Sequence, residues 1–268
     1  MPHWEFPATE PIDLTVQLAA GGVSICAETI ELVTVDVEPT RNGRRAEEYA
    51  EEVQVEFEDG HLSVSEPQRQ DLIRHGSGLD VRVTVPTGSR ASVNTASAAI
   101  TCDGELGSLN ARSASGDIRA AAITGDTNVN ATSGKIEIGE TDGTVNVKSA
   151  SGAIDLGRAG GELNANTVSG KIQVGSAETS TTIHSASGAV RIERLARGEA
   201  EVATVSGDVR VKIAPRTGVY LDLASISGKV TSELEPADGS DGVDLRLYCR
   251  TISGGLRVSR ADAAAFAG

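Results

Sequence analysis

Aromatic residues are scarce in this chain of 268 residues: they make up 3 % of the composition, whereas apolar residues make up 39 %. Large irregular cores depend on aromatic side chains for their volume. We therefore expect a thin, regular core built from Val, Ile, Leu and Ala. The length is sufficient for one large domain or two medium ones.

Long apolar runs and basic clusters are missing as well. No stretch approaches the roughly 18 apolar residues of a membrane-spanning helix, and the first residues show no signal peptide. We therefore expect a cytoplasmic protein without direct membrane insertion. The formal net charge is −14, and no run of Lys or Arg predicts a basic stripe, so we expect no nucleic acid partner.

Cysteine is rare, and its three copies have no metal-ligand spacing. An odd number of cysteines does not predict a disulfide framework, so we expect reduced, buried thiols. The histidines do not share metal spacing either, and we expect no cofactor. The residues concerned are Cys26, Cys102, Cys249, His3, His61, His75 and His184.

A Ser-Gly pair recurs eight times between Ser115 and Gly254. The intervals between its glycines are 18, 18, 18, 18, 19, 21 and 26 residues, and Ala98 marks a first, degenerate copy. Such a period is the signature of a repeat architecture. The pairs are Ser115 and Gly116, Ser133 and Gly134, Ser151 and Gly152, Ser169 and Gly170, Ser187 and Gly188, Ser206 and Gly207, Ser227 and Gly228, and Ser253 and Gly254.

Apolar and polar residues alternate on both sides of each pair, which is the period of a β-strand. About 18 residues per repeat are too few for a helix and two strands. The spacing therefore predicts an all-β protein, a parallel β-solenoid in which each coil lies on the preceding one. Right-handed winding is the favoured hand.

The solenoid is predicted to comprise nine coils over residues 91–260. Residues 1–90 alternate without the 18-residue period, so we expect an irregular β-rich N-terminal cap that continues into the solenoid. Within it, the segment RRAEEYAEEV has the composition of a helix. Residues 261–268 are expected to form a C-terminal tail.

The Ser-Gly pair is interpreted as a structural corner, not as a catalytic group. An activated serine needs a base and an orienting residue, and that arrangement does not recur in every coil of a repeat. We expect the glycine to adopt a positive φ at the bend. We expect the stacked serines to satisfy backbone groups there.

Two further polar groups leave alternatives open. An asparagine run, Asn110, Asn128, Asn146 and Asn164, favours a self-bonded ladder or a solvated face, and a polar ligand-binding strip is the alternative. Carboxylates of the last lengthened repeat are weak calcium candidates, although a flexible insertion is the favoured interpretation. These carboxylates are Asp238, Asp241 and Asp244.

The repeated x-x-SG-x-I-x-V unit, preceded by VTVPTGSRASVNTASAAI, resembles a bacterial β-strand-repeat family of unknown function, the toastrack domain, whose members are called "putative adhesins". The resemblance implies a link to envelope stress signalling, and the family supplies no catalytic residues. Bactofilins, which polymerise end to end, are a weaker analogue through coil length.

These observations predict a non-catalytic scaffold or interaction module whose partner is a protein. One alternative is a bactofilin-like filament formed by self-association. Another is a carbohydrate-binding or adhesin-like protein, although the outward columns predict no aromatic strip for stacking on sugars.

Overall fold

A computed structural model of the protein describes residues 2–67, 78–234 and 242–262. The described part is all-β, with 25 strands and one short helix. It divides into two compact units, Met1–Ile138 and Gly139–Gly268. Each unit is a β-solenoid of mainly parallel strands, which confirms the fold class predicted from the repeat.

The first unit contains the helix and thirteen strands, the last of which crosses the unit boundary. In chain order they are β1 (His3–Pro7), β2 (Asp13–Leu18), β3 (Gly21–Glu28), β4 (Leu32–Pro39), α1 (Arg44–Glu51), β5 (Gln54–Glu58), β6 (His61–Ser65), β7 (Leu79–Pro86), β8 (Arg90–Thr95), β9 (Ala99–Leu106), β10 (Ser108–Ser113), β11 (Ile118–Ile123), β12 (Thr127–Ala131) and β13 (Ile136–Thr141).

The first unit has two sheets, and each regular coil contributes one strand to each sheet. The strand orders are β1-β4-β7-β3-β9-β11-β13 and β12-β10-β8-β2-β6-β5. Equivalent residues of successive repeats face each other: Ile118 pairs with Ile100, and Ala111 pairs with Val93. These inward columns are buried, so each small aliphatic side chain packs on its equivalents above and below.

The region expected to be an irregular cap contains two further coils. The coil of β2 and β3 pairs in parallel with β8 and β9 on one side and with β6 and β7 on the other. Beyond it, β4 and β5 pair antiparallel with β7 and β6, and β1 pairs antiparallel with β4.

The predicted helix is confirmed as α1, which packs against β4. Aromatic rings close this end of the first unit, since Phe6 of β1 contacts Phe57 of β5 with ring centroids 5.1 Å apart. Antiparallel edge strands and a helix replace a repeat coil here, which is how a solenoid end avoids exposing a complete parallel edge.

The second unit contains twelve strands that begin within it. They are β14 (Val145–Ser149), β15 (Ile154–Ala159), β16 (Leu163–Thr167), β17 (Ile172–Ala177), β18 (Thr181–Ser185), β19 (Val190–Leu195), β20 (Gly198–Thr204), β21 (Val209–Ile213), β22 (Val219–Ser225), β23 (Val230–Ser232), β24 (Leu245–Thr251) and β25 (Leu256–Arg260).

The last two coils of the second unit are exchanged in space. The strand orders are β14-β16-β18-β20-β24-β22 and β15-β17-β19-β21-β25-β23. The coil of β24 and β25 therefore lies between the coil of β20 and β21 and the coil of β22 and β23, although it comes last in the chain. The expectation that each coil lies on the preceding one is wrong at this point.

The first unit shows the same kind of exchange. There the first coil of the chain, β2 and β3, lies between β6–β7 and β8–β9. In each unit the coil nearest the chain terminus thus has hydrogen-bonded neighbours on both sides. This arrangement protects terminal coils from fraying. Among the residues that the structure describes, none belongs to a helix with the length and the hydrophobicity that a membrane span requires.

Candidate functional site

The motif glycine is required by close packing between coils. A Cβ at Gly188 would lie 1.7 Å from the Gly170 carbonyl oxygen, and one at Gly207 would lie 2.2 Å from the Gly188 carbonyl oxygen. The expected positive φ is wrong, because the described glycines with φ in that range are Gly21, Gly43, Gly60, Gly88, Gly104 and Gly198. Space between stacked backbones, and not the φ angle, selects glycine at this corner.

The hydroxyl that satisfies the corner belongs to the residue two positions before the motif serine. Ser113, Ser149 and Ser185 each accept a hydrogen bond from the N–H of their motif glycine through Oγ, at 2.8 Å. Thr167 does the same through Oγ1 at 3.0 Å. The side chains of this column are at most 7 % exposed in these coils, so the bond satisfies a buried donor inside the bend.

The motif serines themselves are exposed in all eight coils that carry the Ser-Gly pair. Most of their backbone N–H groups pair with a neighbouring coil, as in the bond from the Ser187 N–H to the Val168 carbonyl oxygen at 2.9 Å. The expectation that the side chains of the motif serines accept hydrogen bonds from the backbone at the bend is wrong. The residue two positions earlier in the sequence accepts them. The hydroxyls of the motif serines instead form an outward column along the corner.

An apolar column lies beside the exposed serines in the second unit, and we call it the corner ridge. It consists of the residues immediately before the motif serine in the five coils that carry Ser169, Ser187, Ser206, Ser227 and Ser253, whereas the first coil of the unit has the small Ala150 at this position. Four of them are large and exposed: Val168 at 57 %, Val205 at 50 %, Ile252 at 49 % and Ile226 at 82 %. In spatial order the corner ridge is Val168, Ala186, Val205, Ile252 and Ile226.

Backbone hydrogen bonds fix the residues of the corner ridge one above another. Ser206 donates to the Ala186 carbonyl, Ser253 to the Val205 carbonyl and Ser227 to the Ile252 carbonyl, each at 2.9 Å. Because the rungs of a parallel sheet are about 4.8 Å apart, the ridge runs for roughly 19 Å. Isolated exposed aliphatic residues are ordinary, whereas a row of them indicates an interaction surface.

The equivalent column of the first unit is different. It holds Ala96, Ala114 and Thr132, which are small or polar and exposed. The corner ridge is therefore a property of the second unit and not of the repeat as such. The residues before each motif serine can be read from the sequence. Whether they are exposed depends on the direction in which the bend turns their side chains.

The asparagine run lies on outward columns of the sheet, with Asn110 opposite Asn128 and Asn146 opposite Asn164. The Asn164 amide donates to Glu162 at 3.2 Å, while Asn110 Oδ1 is buried without a hydrogen-bond partner. In the neighbouring column, His184 contacts Asn166 at 3.3 Å and Glu201 at 3.8 Å. The interpretations as a ladder and as a ligand strip both stay predictions.

Of the calcium candidates, Asp238 and Asp241 lie outside the described residues, as does His75. Asp244 is described, and its Oδ2 accepts a hydrogen bond from the Gly218 N–H at 3.0 Å. This carboxylate therefore ties two loops together. Within the described ranges, no three His, Cys, Asp or Glu side chains meet as a metal site.

A polar groove of about 730 Å³ lies on the first unit, where Gln17, Ser65 and Asn94 occupy neighbouring strands. Glu66 at its edge accepts hydrogen bonds from the Ala19 N–H at 3.0 Å and the Tyr49 hydroxyl at 3.2 Å. Burial, reinforced by Glu66, raises the pKa of Tyr49 to about 12. The groove can offer hydrogen bonds to a neutral polar ligand, and its described lining has no aromatic ring for stacking on a sugar.

The sheet of β11 and β13 in the first unit and the sheet of β15, β17 and β19 in the second unit carry charged side chains on their outward faces. In the first unit, Glu137 pairs with Lys135 and Arg119, and these two hydrogen-bonding cations lower the pKa of its carboxyl group. In the second unit, Arg194 donates to Glu178 at 2.8 Å and Arg158 donates to Asp142 at 2.9 Å. Exposed pairs of this kind contribute little stability individually.

The three cysteines are free thiols. Cys102 and Cys249 are buried in inward columns, and burial raises the pKa of each to about 12. Such thiols are poor nucleophiles and poor metal ligands. They act as small apolar side chains of the core.

A family model covers nearly the whole chain. The family model described as Toastrack DUF4097 matches residues 7–262. A comparison with curated proteins finds no match.

Several solved structures are similar over almost their whole length. One is a "putative adhesin" from Bacteroides fragilis, with 12 % identity, 96 % of each chain covered and a TM-score of 0.38. Another, from Parabacteroides merdae, carries the same description, with 11 % identity, 95 % of each chain covered and a TM-score of 0.40. A "putative lipid binding protein" from Parabacteroides distasonis has 12 % identity, 97 % of this chain and 96 % of that chain covered, and a TM-score of 0.38.

Proposed function

Because the chain belongs to the toastrack family, whose function is not established, we propose from its own surface that it is a non-catalytic module that binds a protein. The observation that supports this proposal is the corner ridge. Four large aliphatic side chains there are each about half exposed or more. They stand in one row on a backbone that hydrogen bonds hold rigid.

A protein partner fits the chemistry of the corner ridge. Branched aliphatic side chains have few rotamers, so ordering them at an interface costs little entropy. The exposed motif serines Ser169, Ser187 and Ser206 border the ridge, and they add hydrogen-bonding groups at its rim. An apolar centre with a polar rim is the usual composition of a protein interface. A cytoplasmic location is part of the same proposal.

Site-specific photocrosslinking in the host cell tests the proposal. p-Benzoylphenylalanine would replace Val205 or Ile252 on the corner ridge, and Thr132 of the equivalent first-unit column is the matched control. We expect one discrete crosslinked protein from both ridge positions and none from Thr132. A third probe carries p-benzoylphenylalanine at Val168. Adding Val205→Asp and Ile252→Asp to this probe should abolish its crosslink. The two aspartates should leave the melting temperature unchanged, because both positions are exposed.

Two results would contradict the proposed function. One is an absence of crosslinks from all three ridge positions in cells that express the protein normally. The other is the same set of crosslinked products from Thr132 as from the ridge, since that pattern reports random collision.

Self-association is a second candidate, and the outermost coil of the second unit supports it. Val230 of β23 is 41 % exposed, whereas Leu256, its partner in the same column, is 1 % exposed. A second copy that paired with β22 or β23 would cover this column, as neighbouring coils do. Light scattering tests the idea: we expect a concentration-dependent increase in mass that Val230→Lys removes, and a constant monomer mass would contradict it.

A further inference from the structure

Three arginines are stacked on the outward face of the second unit, and we call them the arginine ladder. Arg191 of β19 pairs in register with Arg210 of β21, and Arg210 pairs with Arg257 of β25. All three side chains are exposed, at 48 %, 55 % and 62 % respectively. The sequence predicted no basic stripe, and the chain as a whole is acidic.

The exchange of the last two coils creates this ladder. Thr231 of β23 occupies the equivalent position in the coil that follows β21 in the chain, and it pairs with Arg257 from the outer side. If the coils were stacked in chain order, Thr231 would lie beside Arg210 and would separate it from Arg257. The exchange therefore places Arg257 beside Arg210, which already pairs with Arg191 of the preceding coil.

Like charges on directly opposed residues destabilise a sheet. Nearby carboxylates neutralise the three arginines to different degrees. Glu193 is held by Arg191 and by Lys212, the latter at 3.0 Å. Asp208 lies 3.5 Å from Arg210, and Glu233 lies 3.9 Å from Arg257, which are long distances for charge-assisted hydrogen bonds.

The four cations Arg191, Arg210, Lys212 and Arg257 thus face three carboxylates. Glu193 is paired with Arg191 and Lys212. Burial alone would raise the pKa of its carboxyl group, but the hydrogen bonds from these two cations have the larger combined effect, so the pKa is lowered. The guanidinium groups of Arg210 and Arg257 keep hydrogen-bond donors for another acceptor. These cations line a cavity of about 190 Å³, and Glu193, Glu233, Val211 and Ser259 line it as well.

We propose that the arginine ladder binds a compact polyanion of the phosphate class, in which at least two phosphate groups span the distance between Arg210 and Arg257. Adjacent rungs are about 4.8 Å apart, so two phosphate groups of one small molecule can each reach one guanidinium group. Each guanidinium offers a planar fork that matches phosphate oxygens. The site is separate from the corner ridge and is supported by other residues.

Isothermal titration calorimetry with inorganic tripolyphosphate tests the site. At about 0.15 M ionic strength, where long-range attraction is screened, we expect saturable binding of one molecule per chain. Arg210→Gln and Arg257→Gln should each weaken it about tenfold or more, because each removes a bidentate contact. Arg257→Lys keeps the charge without the fork and should weaken binding by a smaller factor.

Arg119→Gln is the matched control, because Arg119 is 64 % exposed on an outward strand of the first unit and is already paired with Glu137. It should leave the affinity unchanged within about twofold. Equal weakening by Arg119→Gln and Arg257→Gln would overturn the proposal, since it would report net charge alone. Absence of saturable binding by the wild-type chain to both tripolyphosphate and anionic vesicles would overturn it as well.

Sedimentation with cardiolipin-containing vesicles, whose lipid carries two phosphate groups, compared with phosphatidylcholine vesicles, distinguishes the source of the phosphate groups. Binding to cardiolipin that Arg257→Gln abolishes identifies a lipid headgroup as the ligand. Tripolyphosphate binding without vesicle binding identifies a soluble phosphate compound. Both results support the site, whereas vesicle binding that Arg257→Gln and Arg210→Gln leave unchanged would contradict it.

Discussion

Gly188 and Gly170 stand one above the other in successive coils, and a Cβ on Gly188 would lie 1.7 Å from the Gly170 carbonyl oxygen. The same approach recurs at Gly116, Gly134, Gly207 and Gly254, where the corresponding distance is 1.9 to 2.2 Å. The repeated glycine is therefore the contact point between coils. A larger residue in any of these copies would have to separate two hydrogen-bonded coils.

Gly188→Ala is expected to destabilise the protein by about 3 kcal/mol or more, because overpacking a rigid backbone contact is among the most damaging single changes. Gly242→Ala is the matched control: no atom lies within 4 Å of its added Cβ, and its effect should stay within about 0.5 kcal/mol. Urea unfolding followed by circular dichroism measures both. Equal, small effects would show that the coils are not in contact at the corner.

Hydrogen exchange should reveal the exchanged coils. The strand β24 has neighbours on both sides, β20 and β22, whereas β22 lies at the edge of its sheet. We therefore expect the amides of Leu245–Thr251 to exchange more slowly than those of Val219–Ser225, although they are closer to the end of the chain. Mass spectrometry of peptic fragments resolves the two segments.

Faster exchange in Leu245–Thr251 than in Val219–Ser225 would contradict the exchanged order. That result would correspond to a chain that frays from its C-terminal end, with the last coil outermost. The strand β16 serves as the internal reference, since it has neighbours on both sides in β14 and β18.

The buried thiols predict a loss of stability in alkaline solution. Burial raises the pKa of Cys102 and Cys249 from 9.0 to about 12, so the folded chain holds these protons more tightly than the unfolded chain. The resulting stabilisation is complete below about pH 9 and is lost as the pH rises towards 12. The free energy of unfolding, measured between pH 7 and pH 11, should fall above pH 9.

A variant with Cys102→Ala and Cys249→Ala serves as the comparison for this pH dependence. It should be less stable at pH 7, because each change removes a buried sulfur, but its stability should decline less steeply above pH 9. Tyr49, whose pKa is also raised to about 12, and Cys26, whose thiol pKa is raised by burial, would account for the remaining slope. An unchanged slope in the double variant would exclude the thiols as the cause.

The period of the repeat was sufficient to predict the inward columns. Ile118, Ile154 and Ile172 recur at fixed distances from the Ser-Gly pair, and each is buried at its expected place. The exchange of the last coils could not be predicted, because intervals of 21 and 26 residues permit a loop to reach either side of a neighbouring coil. The contact between Arg210 and Arg257 depends on that choice, so the arginine ladder was not predicted.

The corner was predicted as a feature but not in its chemistry. A required glycine signals either a positive φ or a lack of space, and the sequence does not distinguish these causes at Gly188. Similarly, Ser185 and Ser187 are both serines of the same repeat unit. Only the fold shows that the first points into the bend and the second points to solvent.

That difference provides the most direct test of the central claim, which is that the repeated corner is structural and its named serine is not. Ser185→Ala removes the acceptor of the buried Gly188 N–H, at 2.8 Å, whereas Ser187→Ala removes an exposed hydroxyl. In urea unfolding, we expect Ser185→Ala to lower the free energy of unfolding by about 1 to 3 kcal/mol and Ser187→Ala to change it by less than about 0.5 kcal/mol. A larger loss for Ser187→Ala than for Ser185→Ala would contradict the account.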